Sequence, residues 1–339
     1  MIVKNSENGT PKVCVIMPVY NGEGTLKYAL ASLLGQSYQN WECVIVNDGS
    51  TDKTRDILNS LNDTRFKIYH LDKNRGRGYA RDVALSHAEG KYLSYLDADD
   101  MLHSDKILKQ VEYLEEHEDV LLVSCGCIRI KENMSACGSS NCKTVNISPY
   151  RYGNPMPLIL PASMVRLDRA KNYKYDSFLD VGEDLDYFSR YSDGSTIASL
   201  PYPYYFYMTG NVTTKKLFYY QWNSMRRGIT LIRNKRYYAG IKHIARKLVI
   251  IFAYSVMVPL VGTDRIVNKM RYKNDNNMNW KQDYDRELKL ISQRALELMG
   301  VICLIIKYLR SCFFFNFQAP IHKPNLEGSV HCVCINLAA

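Results

Sequence analysis

The sequence lacks several features that mark secreted or membrane-spanning proteins. No basic stretch followed by an apolar stretch opens the chain, so no secretory signal is predicted and the cytoplasm is the expected location. The most prominent apolar run, 248–262, has about fifteen residues and includes Pro259, whereas spanning a bilayer takes ~20 residues. The sequence also shows no internal repeat and no low-complexity segment, which argues against a solenoid or a disordered chain.

Cysteine is present, but not in the spacing of a strong metal motif. The cysteines at 125, 127, 137 and 142 lack the paired CxxC knuckles that identify structural zinc sites, so zinc is the weaker interpretation. Several cysteines fall inside apolar, strand-like runs, which favours reduced thiols buried in a reducing compartment. The ten cysteines are Cys14, Cys43, Cys125, Cys127, Cys137, Cys142, Cys303, Cys312, Cys332 and Cys334.

The composition is typical of a soluble globular protein. The chain has 339 residues, of which 46% are hydrophobic and 23% are charged. Its formal net charge of +10 favours a polyanionic partner: nucleic acid, an anionic membrane surface or a phosphorylated small molecule. Charge alone does not choose among these three classes.

Apolar runs alternate with helical stretches from residue 13 to about residue 130. This rhythm predicts an α/β fold with a mostly parallel sheet and helices on both faces. Helix caps are predicted at Thr25, at Ser50 or Thr51, and at Ser104. The predicted strands are "VCVIMPVY", "ECVIVNDGS", "FKIYHL", "KYLSYL" and "VLLVSCGCIRI", and the intervening helices are "TLKYALASLLG", "STDKTRDILNSL", "GYARDVALSHAEG" and "DKILKQVEYLEEH".

The pattern loosens after residue 130. The Ser-, Asn-, Gly- and Pro-rich segment 131–157 predicts a long loop, interpreted as a flap over the site. A loop then leads into a helix with Leu185, Phe188 and Tyr191 on its buried stripe, and "IASLPYPYYFYMTGN" predicts an aromatic strand pair.

From about residue 217 the composition shifts to Lys, Arg and long apolar stretches. The basic segment 233–247 precedes the run 248–262, a combination suited to an anionic lipid surface; a buried helix of a small bundle is the alternative. A second helix is predicted with Leu288, Ile291, Ala295 and Leu298 on one face. The predicted divisions are a tail (1–12), the α/β domain (13–216), a basic and apolar helical region (217–310) and a C-terminal tail (311–339).

Three carboxylates follow the strand "KYLSYL" within four positions. In an extended chain Asp97 and Asp99 project to one side and Asp100 to the other. Two carboxylates on one side suit a hard divalent cation such as Mg²⁺ or Mn²⁺, which removes their repulsion. Asp100 is then expected to support the turn, and a polar loop without metal is the alternative for the motif as a whole.

Three motifs in order give the chain a specific resemblance. Residues 13–214 resemble the family 2 glycosyltransferases, inverting enzymes with the GT-A type fold, a Rossmann-like mostly parallel sheet. The opening segment "VIMPVYNGEGTLKYALASLLGQSYQNWECVIVNDGSTDKT", the metal motif "DADDMLHSDKI" and the acidic motif "GEDLDY" match those of the family. The chain departs from the family at Asp82, where Asn is common after the arginine, and at Tyr207 and Thr209, where many members have Arg and His.

The resemblance implies a role for eight residues. Pro18 and Tyr20 would line the nucleobase pocket, and Asp48 would hydrogen-bond the base. Arg81, and secondly Arg77, would approach the diphosphate. Asp97 would contact the ribose or the metal, Asp99 would bind the metal, and Asp184 would be the general base.

The implied activity is metal-dependent transfer of a sugar from a nucleotide-diphosphate donor, a UDP-sugar, with Mn²⁺ or Mg²⁺ as cofactor. The acceptor would be a glycan or a polyprenyl-diphosphate-linked sugar in cell-surface polysaccharide assembly, at the inner face of the membrane, with no nucleic acid partner. One alternative is a sugar-phosphate nucleotidyltransferase, which is expected to have a GxGxR-like loop that "PVYNGEGT" does not match. The other is a non-catalytic nucleotide-binding or interaction module on the same fold.

Overall fold

The sheet of this α/β protein has ten strands, six of which run in one direction. The structure, a computed structural model, describes residues 9–210, 213–263 and 280–314. The strands are β1 (Val13–Val19), β2 (Trp41–Asn47), β3 (Phe66–His70), β4 (Tyr92–Tyr95), β5 (Met101–Leu102), β6 (Val120–Ile130), β7 (Ala136–Ser140), β8 (Val145–Ile147), β9 (Met164–Arg166) and β10 (Thr196–Met208).

The main path of the sheet has the order β3-β2-β1-β4-β9-β6-β10-β5. Strands β1 to β4 are parallel to one another, and β6 is parallel to β10. Strand β9 lies antiparallel to both β4 and β6, so β4 and β6 run in the same direction. The prediction of a mostly parallel α/β sheet is therefore confirmed.

Helices cover both faces of the sheet, because the central strands are apolar on both sides. Alternate residues of β1 pack into different cores, with Val15 and Met17 in one and Cys14 and Ile16 in the other. The helices are α1 (Leu26–Leu34), α2 (Thr54–Asn59), α3 (Arg77–Ser86), α4 (Lys106–Glu116), α5 (Leu167–Ala170), α6 (Glu183–Tyr191), α7 (Thr214–Arg233), α8 (Tyr237–Val261) and α9 (Trp280–Phe314).

Two predicted helix caps are wrong. Helix α2 begins at Thr54 after Lys53, so neither Ser50 nor Thr51 caps it. Helix α4 begins after Asp105, and the Ser104 hydroxyl donates instead to a carboxylate of α9. In both cases the polar side chain serves a tertiary contact, which local sequence patterns do not reveal.

The segment 131–157 is not a continuous loop. Strands β7 and β8 lie within it, the first paired with β6 and the second with β10. None of its residues lines the cleft described below, so it does not form the predicted flap. The predicted aromatic strand pair is also wrong, because β10 is one strand of 13 residues with a break in its pairing between Leu200 and Tyr205.

Helix α9 joins the main core, although the sequence predicts a separate C-terminal region. Ile291 and Ala295 are buried against Phe206 and Met208 of β10, which confirms the predicted apolar face of α9. The chain divides into two compact units between residues 299 and 300. The described part of the second unit, 300–314, is helical.

Helix α8 is longer and more exposed than the apolar run predicts. Its 25 residues include only two buried ones, Gly240 and Tyr254. Val249, Phe252 and Leu260 are exposed by 67%, 72% and 73%. Of the described helices, α8 alone has the length and apolar composition needed to cross a membrane.

Candidate active site

A cleft of about 670 Å³ opens at the carboxyl ends of β1, β2 and β4. It brings together seven of the eight predicted site residues, which come from three separate strand ends and from α3. The eighth, Asp184, is not among the residues that line it. The seven are Pro18, Tyr20, Asp48, Arg77, Arg81, Asp97 and Asp99.

Two loops that frame the cleft are joined to each other by hydrogen bonds. The Asn21 backbone N–H donates to Ser50 Oγ (2.9 Å), and Thr51 N–H donates to Asn21 Oδ1 (2.8 Å). Gly22 N–H donates in the same way to Thr54 Oγ1 (2.8 Å). Much of the opening motif "NGEGT" and "DGSTDKT" therefore holds the walls of the cleft in place.

Asp48 shapes one end of the cleft. Its carboxylate is almost fully buried and accepts hydrogen bonds from the backbone N–H groups of Arg75 (2.8 Å) and Gly76 (2.9 Å). The next residue, Gly49, has a φ of 67°, and a Cβ there would lie 2.4 Å from the carbonyl carbon of Lys73. Glycine at this position allows the 73–76 loop to close against β2.

A buried ion-pair network lies on the floor of the cleft. Arg81 is 6% exposed and donates from Nη2 to Asp97 Oδ1 (2.8 Å) and from Nη1 to Glu183 Oε1 (3.1 Å). Arg77 Nε reaches the same Glu183 oxygen (2.5 Å), while more than half of the Arg77 side chain stays exposed. Of the two arginines assigned to the diphosphate, Arg77 is therefore the more accessible.

Asp99 is the free carboxylate of the acidic motif. Its side chain is exposed in the cleft and forms no ion pair with any described residue. Desolvation in the cleft, and then the charge of Asp97, raise the pKa of Asp99 to about 6. Two neighbouring oxygen ligands that repel each other fit a hard divalent cation, so the residues present suit Mg²⁺ or Mn²⁺.

Asp100 has a different environment from its two neighbours. It is 1% exposed, and it accepts hydrogen bonds from Tyr205 Oη (2.7 Å) and from the Met208 backbone N–H (2.7 Å). Burial, and then the charges of Asp99 and Asp97, raise its pKa well above the usual range. Asp100 fastens β10 to the acidic turn and thus supports the turn, as the sequence predicts.

Glu183 and Asp184 begin α6 after Gly182, which has a φ of 80°. Glu183 is buried and bound by both arginines, whereas the Asp184 carboxylate accepts a hydrogen bond from the Leu185 N–H (2.7 Å). Burial, and then a set of nearby carboxylates that includes Asp184, raise the pKa of Tyr207, a residue of the cleft wall. Asp184 thus lies close to the cleft without lining it.

Four further residues of the cleft wall were not among the predicted site residues. Asp180 lies on the loop before α6 and pairs with Arg226 of α7 (2.5 Å). Tyr219 and Tyr220 come from α7 and are 51% and 42% exposed. Tyr207 was noted only as a departure from the family pattern. Asp180 lies just before the acidic motif. Tyr219 and Tyr220 belong to none of the three motifs, and only the fold brings them to the cleft.

A second group of potential metal ligands lies at the start of α9 and serves as a helix contact. His103, Asp283 and Glu287 place their ligand atoms within 4.8 Å of one another, the one such group among the described residues. The Asp105 N–H donates to His103 Nδ1 (3.1 Å), which leaves Nε2 to donate to Asp283 (2.9 Å), and Glu287 accepts two bonds from Ser104. These bonds fasten α9. The predicted alternative of zinc at the cysteines finds no support among the described residues, where Cys14, Cys43, Cys125 and Cys127 are buried free thiols.

The family model described as glycosyl transferase family 2 matches residues 14–153. An uncharacterized glycosyltransferase of Haemophilus influenzae is 31% identical over 173 residues, which cover 50% of this chain and 69% of the relative. The putative teichuronic acid biosynthesis glycosyltransferase TuaG of Bacillus subtilis is 42% identical, covering 32% of this chain and 44% of the relative. The glucosyltransferase WfgD of Escherichia coli, which is named UDP-Glc:alpha-D-GlcNAc-diphosphoundecaprenol beta-1,3-glucosyltransferase, is 35% identical, covering 30% and 40%. The chain thus spans less than half the length of the last two.

Solved structures of similar fold include TarS from S. aureus. TarS residues 1–349 in complex with UDP superpose with a TM-score of 0.53 at 18% identity, covering 91% of this chain and 94% of that chain. The complex with UDP-GlcNAc gives a TM-score of 0.50 at 19% identity, covering 84% and 81%. This likeness confirms the predicted GT-A type fold. Together with the extent of the Haemophilus relative, the family match shows that this chain is a glycosyltransferase and belongs to glycosyl transferase family 2.

Proposed function

We propose that this enzyme transfers one sugar, with inversion, from a UDP-sugar to a hydroxyl group of a glycan or a polyprenyl-diphosphate-linked acceptor in cell-surface polysaccharide assembly. The observation that carries the proposal is the cleft itself. It gathers a buried nucleobase-side carboxylate (Asp48), an accessible guanidinium (Arg77) and the Asp97–Asp99 pair at one edge of the sheet. A nucleoside diphosphate requires these three kinds of group.

In this proposal Tyr20 and Pro18 contact the base, and Asp48 fixes its orientation. Arg77 binds the diphosphate directly, because its side chain is exposed in the cleft. Arg81 holds Asp97 in position from beneath through their 2.8 Å ion pair. Asp97 and Asp99 would hold Mn²⁺ or Mg²⁺, which when bound neutralises the charge that develops on the leaving diphosphate.

Asp184 is the proposed general base. It removes the proton of the acceptor hydroxyl as that oxygen attacks the anomeric carbon of the donor sugar. Displacement in a single step inverts that carbon, and the nucleoside diphosphate leaves. Glu183 is a poorer candidate for the base, because it is buried and paired with both Arg77 and Arg81.

The names of similar proteins favour this substrate class. WfgD is named for a UDP-glucose donor and a diphosphoundecaprenol-linked acceptor, and TarS structures contain UDP or UDP-GlcNAc. The exposed Tyr219 and Tyr220 suit contact with a sugar ring, since aromatic side chains present apolar area at low entropic cost.

We also propose that α8 holds the enzyme on the inner face of the cell membrane without crossing it. The first half of the helix packs closely on α7, where a Cβ on Gly240 would lie 2.6 Å from the Gly228 carbonyl oxygen. It also carries Lys242, Arg246 and Lys247, which are costly to place in the hydrocarbon layer. Its second half supplies the apolar side chains that favour an interfacial position.

The test begins with a thermal-shift screen of UDP-sugars in the presence of Mn²⁺, since a bound donor stabilises the protein. The stabilising donor is then supplied with polyprenyl-diphosphate N-acetylglucosamine, and the release of UDP is measured. Wild-type enzyme is expected to release UDP, and Asp184→Asn to release it at least about 10²-fold more slowly. Asp184→Asn should still bind the donor.

Asp168→Asn is the matched control, because Asp168 is exposed, carries the same charge and does not line the cleft. Equal rates for wild type and Asp184→Asn would refute the assignment of the base. Donor binding without turnover in any protein would favour a non-catalytic module. Release of pyrophosphate from a nucleoside triphosphate and a sugar phosphate would favour a nucleotidyltransferase.

A further inference from the structure

A second cavity, of about 380 Å³, lies between α7, α8, the start of α6 and the loop 153–156. No residue lines both this cavity and the cleft. Sequence patterns do not predict this cavity, because its residues come from four separate segments. It lies wholly within the first compact unit of the chain.

The cavity is strongly basic. Arg227, Lys242, Arg246 and Lys247 line it, and no carboxylate does. None of these four side chains forms an ion pair with a carboxylate in the part of the chain that the structure describes. Like charges gathered without counter-ions repel one another, so the arrangement favours an anion between them.

Arg227 is the most deeply buried of the four cations of the cavity. It is 5% exposed, and Nη2 donates to Ser189 Oγ at 3.3 Å. Its Nε is buried and has no hydrogen-bond partner. A buried donor without a hydrogen-bond partner is unfavourable, and native proteins usually supply one. The Arg227 guanidinium is a lining group of the cavity, so an anion bound there would offset its charge.

His243 lies in the same positively charged cavity. It lines the cavity and donates from Nε2 to the Ser224 carbonyl oxygen (2.9 Å). Burial, and then the charges of Arg227, Lys247 and Arg246, lower its pKa to about 4. His243 is therefore uncharged at neutral pH and does not add to the cationic set.

The rest of the lining is apolar, and it leads to an apolar surface. Met156, Leu231 and Ile250 contribute to the walls. Helix α8 continues beyond the cavity for about 15 Å, from Ile250 to Leu260, at ~1.5 Å per residue. Phe252 and Leu260 lie exposed along this stretch. A phosphate anion that carries a hydrocarbon chain matches both parts of the surface.

We propose that this cavity binds the terminal phosphate or diphosphate group of an anionic membrane lipid, whose hydrocarbon chain lies along the exposed face of α8. The choice of a lipid as the ligand rests on the proposed function, which places α8 on the membrane; the choice of an anion does not. Such binding also gives a lipid-linked acceptor a defined place, because Leu185 of the cavity follows Asp184 directly. Arg227 Cδ lies 3.9 Å from where a Cβ on Gly182 would be, so the cavity adjoins the residue that precedes α6.

The test uses the full chain and vesicles of phosphatidylcholine, alone or with a small fraction of polyprenyl phosphate. Wild type is expected to bind the vesicles with polyprenyl phosphate at least 10-fold more tightly than the vesicles of phosphatidylcholine alone. Lys242→Gln/Arg246→Gln, which changes two exposed residues and so spares the fold, should lose this preference. Arg227→Met should lose it as well. The control Lys171→Gln/Lys174→Gln removes the same charge from exposed residues outside both cavities and should retain it.

Equal binding by wild type and Lys242→Gln/Arg246→Gln overturns the proposal, and so does equal binding of wild type to both kinds of vesicle. If inorganic pyrophosphate binds as tightly as the vesicles with polyprenyl phosphate, the cavity recognises a free phosphate group, and the proposal that its ligand is a lipid is overturned. UDP release from the donor is measured in the same preparations. Loss of lipid preference with unchanged donor hydrolysis supports the cavity as a separate site. Lipid binding by a wild type that turns over no donor also supports it, and contradicts the proposed function alone.

Discussion

Arg81 and Glu183 form a buried ion pair, 3.1 Å from Nη1 to Oε1, that joins α3 to the start of α6 beneath the cleft. Both side chains are less than a tenth exposed. Each also has a second partner, Asp97 for Arg81 and Arg77 for Glu183. The network therefore fixes an arginine of α3, an acid of the metal motif and an acid of the acidic motif relative to one another.

Glu183→Gln is expected to destabilise the protein by about 3 kcal/mol, because it removes one partner from a buried charge network. Asp184→Asn should change the free energy of unfolding by no more than about 0.5 kcal/mol, since its carboxylate bonds only its own helix end. Urea unfolding of the two variants measures the difference. Similar losses of stability in both variants would contradict the assignment of a structural role to Glu183 alone.

The sequence predicts an acidic motif at 183–184 but not this division between its members. Adjacent residues at a helix start point in different directions, and only the position of α3 decides which acid meets the arginines. The mostly parallel sheet and the carboxyl-end location of the site could be predicted, because apolar runs and polar strand ends are local signals. The contribution of Tyr219 and Tyr220 could not, since α7 reaches the cleft only through tertiary packing.

The strands β7 and β8 show a related limit. Their residues, such as Gly138 and Asn146, have low strand propensity, and the segment is typical of a loop. Unpaired backbone groups along β6 and β10 nevertheless offer ladder partners, and pairing with them outweighs the local preference. Helix α9 was predicted as an amphipathic helix, but its target, the β10 and α1 surface, was not.

Asp99→Ala is expected to remove the effect of Mn²⁺ on donor binding. In wild type, EDTA should weaken UDP binding at least 10-fold, because a divalent cation held by Asp97 and Asp99 would neutralise the charge of the diphosphate. In Asp99→Ala, UDP should bind equally weakly with and without Mn²⁺. Isothermal titration calorimetry measures both, with Asp119→Asn as an exposed control outside the cleft. Full Mn²⁺ dependence in Asp99→Ala would exclude Asp99 as a metal ligand.

Lys106 is expected to make stability depend on pH in the alkaline range. It is fully buried, with Nζ donating to Ser94 Oγ (3.0 Å) and Gln110 Oε1 (2.8 Å), and burial lowers its pKa from 10.5 to about 8. Between these values the unfolded chain binds the proton and the folded chain does not, so the contribution to stability rises with pH.

The measured quantity is the difference in unfolding free energy between wild type and Lys106→Met. It should shift in favour of wild type by about 3 kcal/mol between pH 7.5 and 10.5, since each pKa unit corresponds to about 1.4 kcal/mol. The exposed Lys109→Met is the control and should show no such rise. A pH-independent difference for Lys106→Met would mean that Lys106 stays charged when buried.

Phe252→Glu is expected to weaken attachment to anionic vesicles without changing the fold. Phe252 is 72% exposed in the second half of α8, so the substitution removes apolar area from the surface while leaving the packing on α7 intact. Loss of one buried aromatic side chain corresponds to about 2 kcal/mol, or roughly a 30-fold weaker partition. A negative charge facing anionic lipids weakens it further.

Ser255→Glu on the same helix is the control, and it should weaken attachment less than Phe252→Glu does. Ser255 contributes little apolar area, and its hydroxyl already bonds the Ile251 carbonyl oxygen. Sedimentation with phosphatidylglycerol vesicles at low and high salt separates the two contributions. The apolar part persists at high salt, whereas attraction of the basic segment is screened. If Phe252→Glu and wild type sediment alike at both salt concentrations, α8 does not attach the enzyme to the membrane, and an attachment must come from another part of the chain.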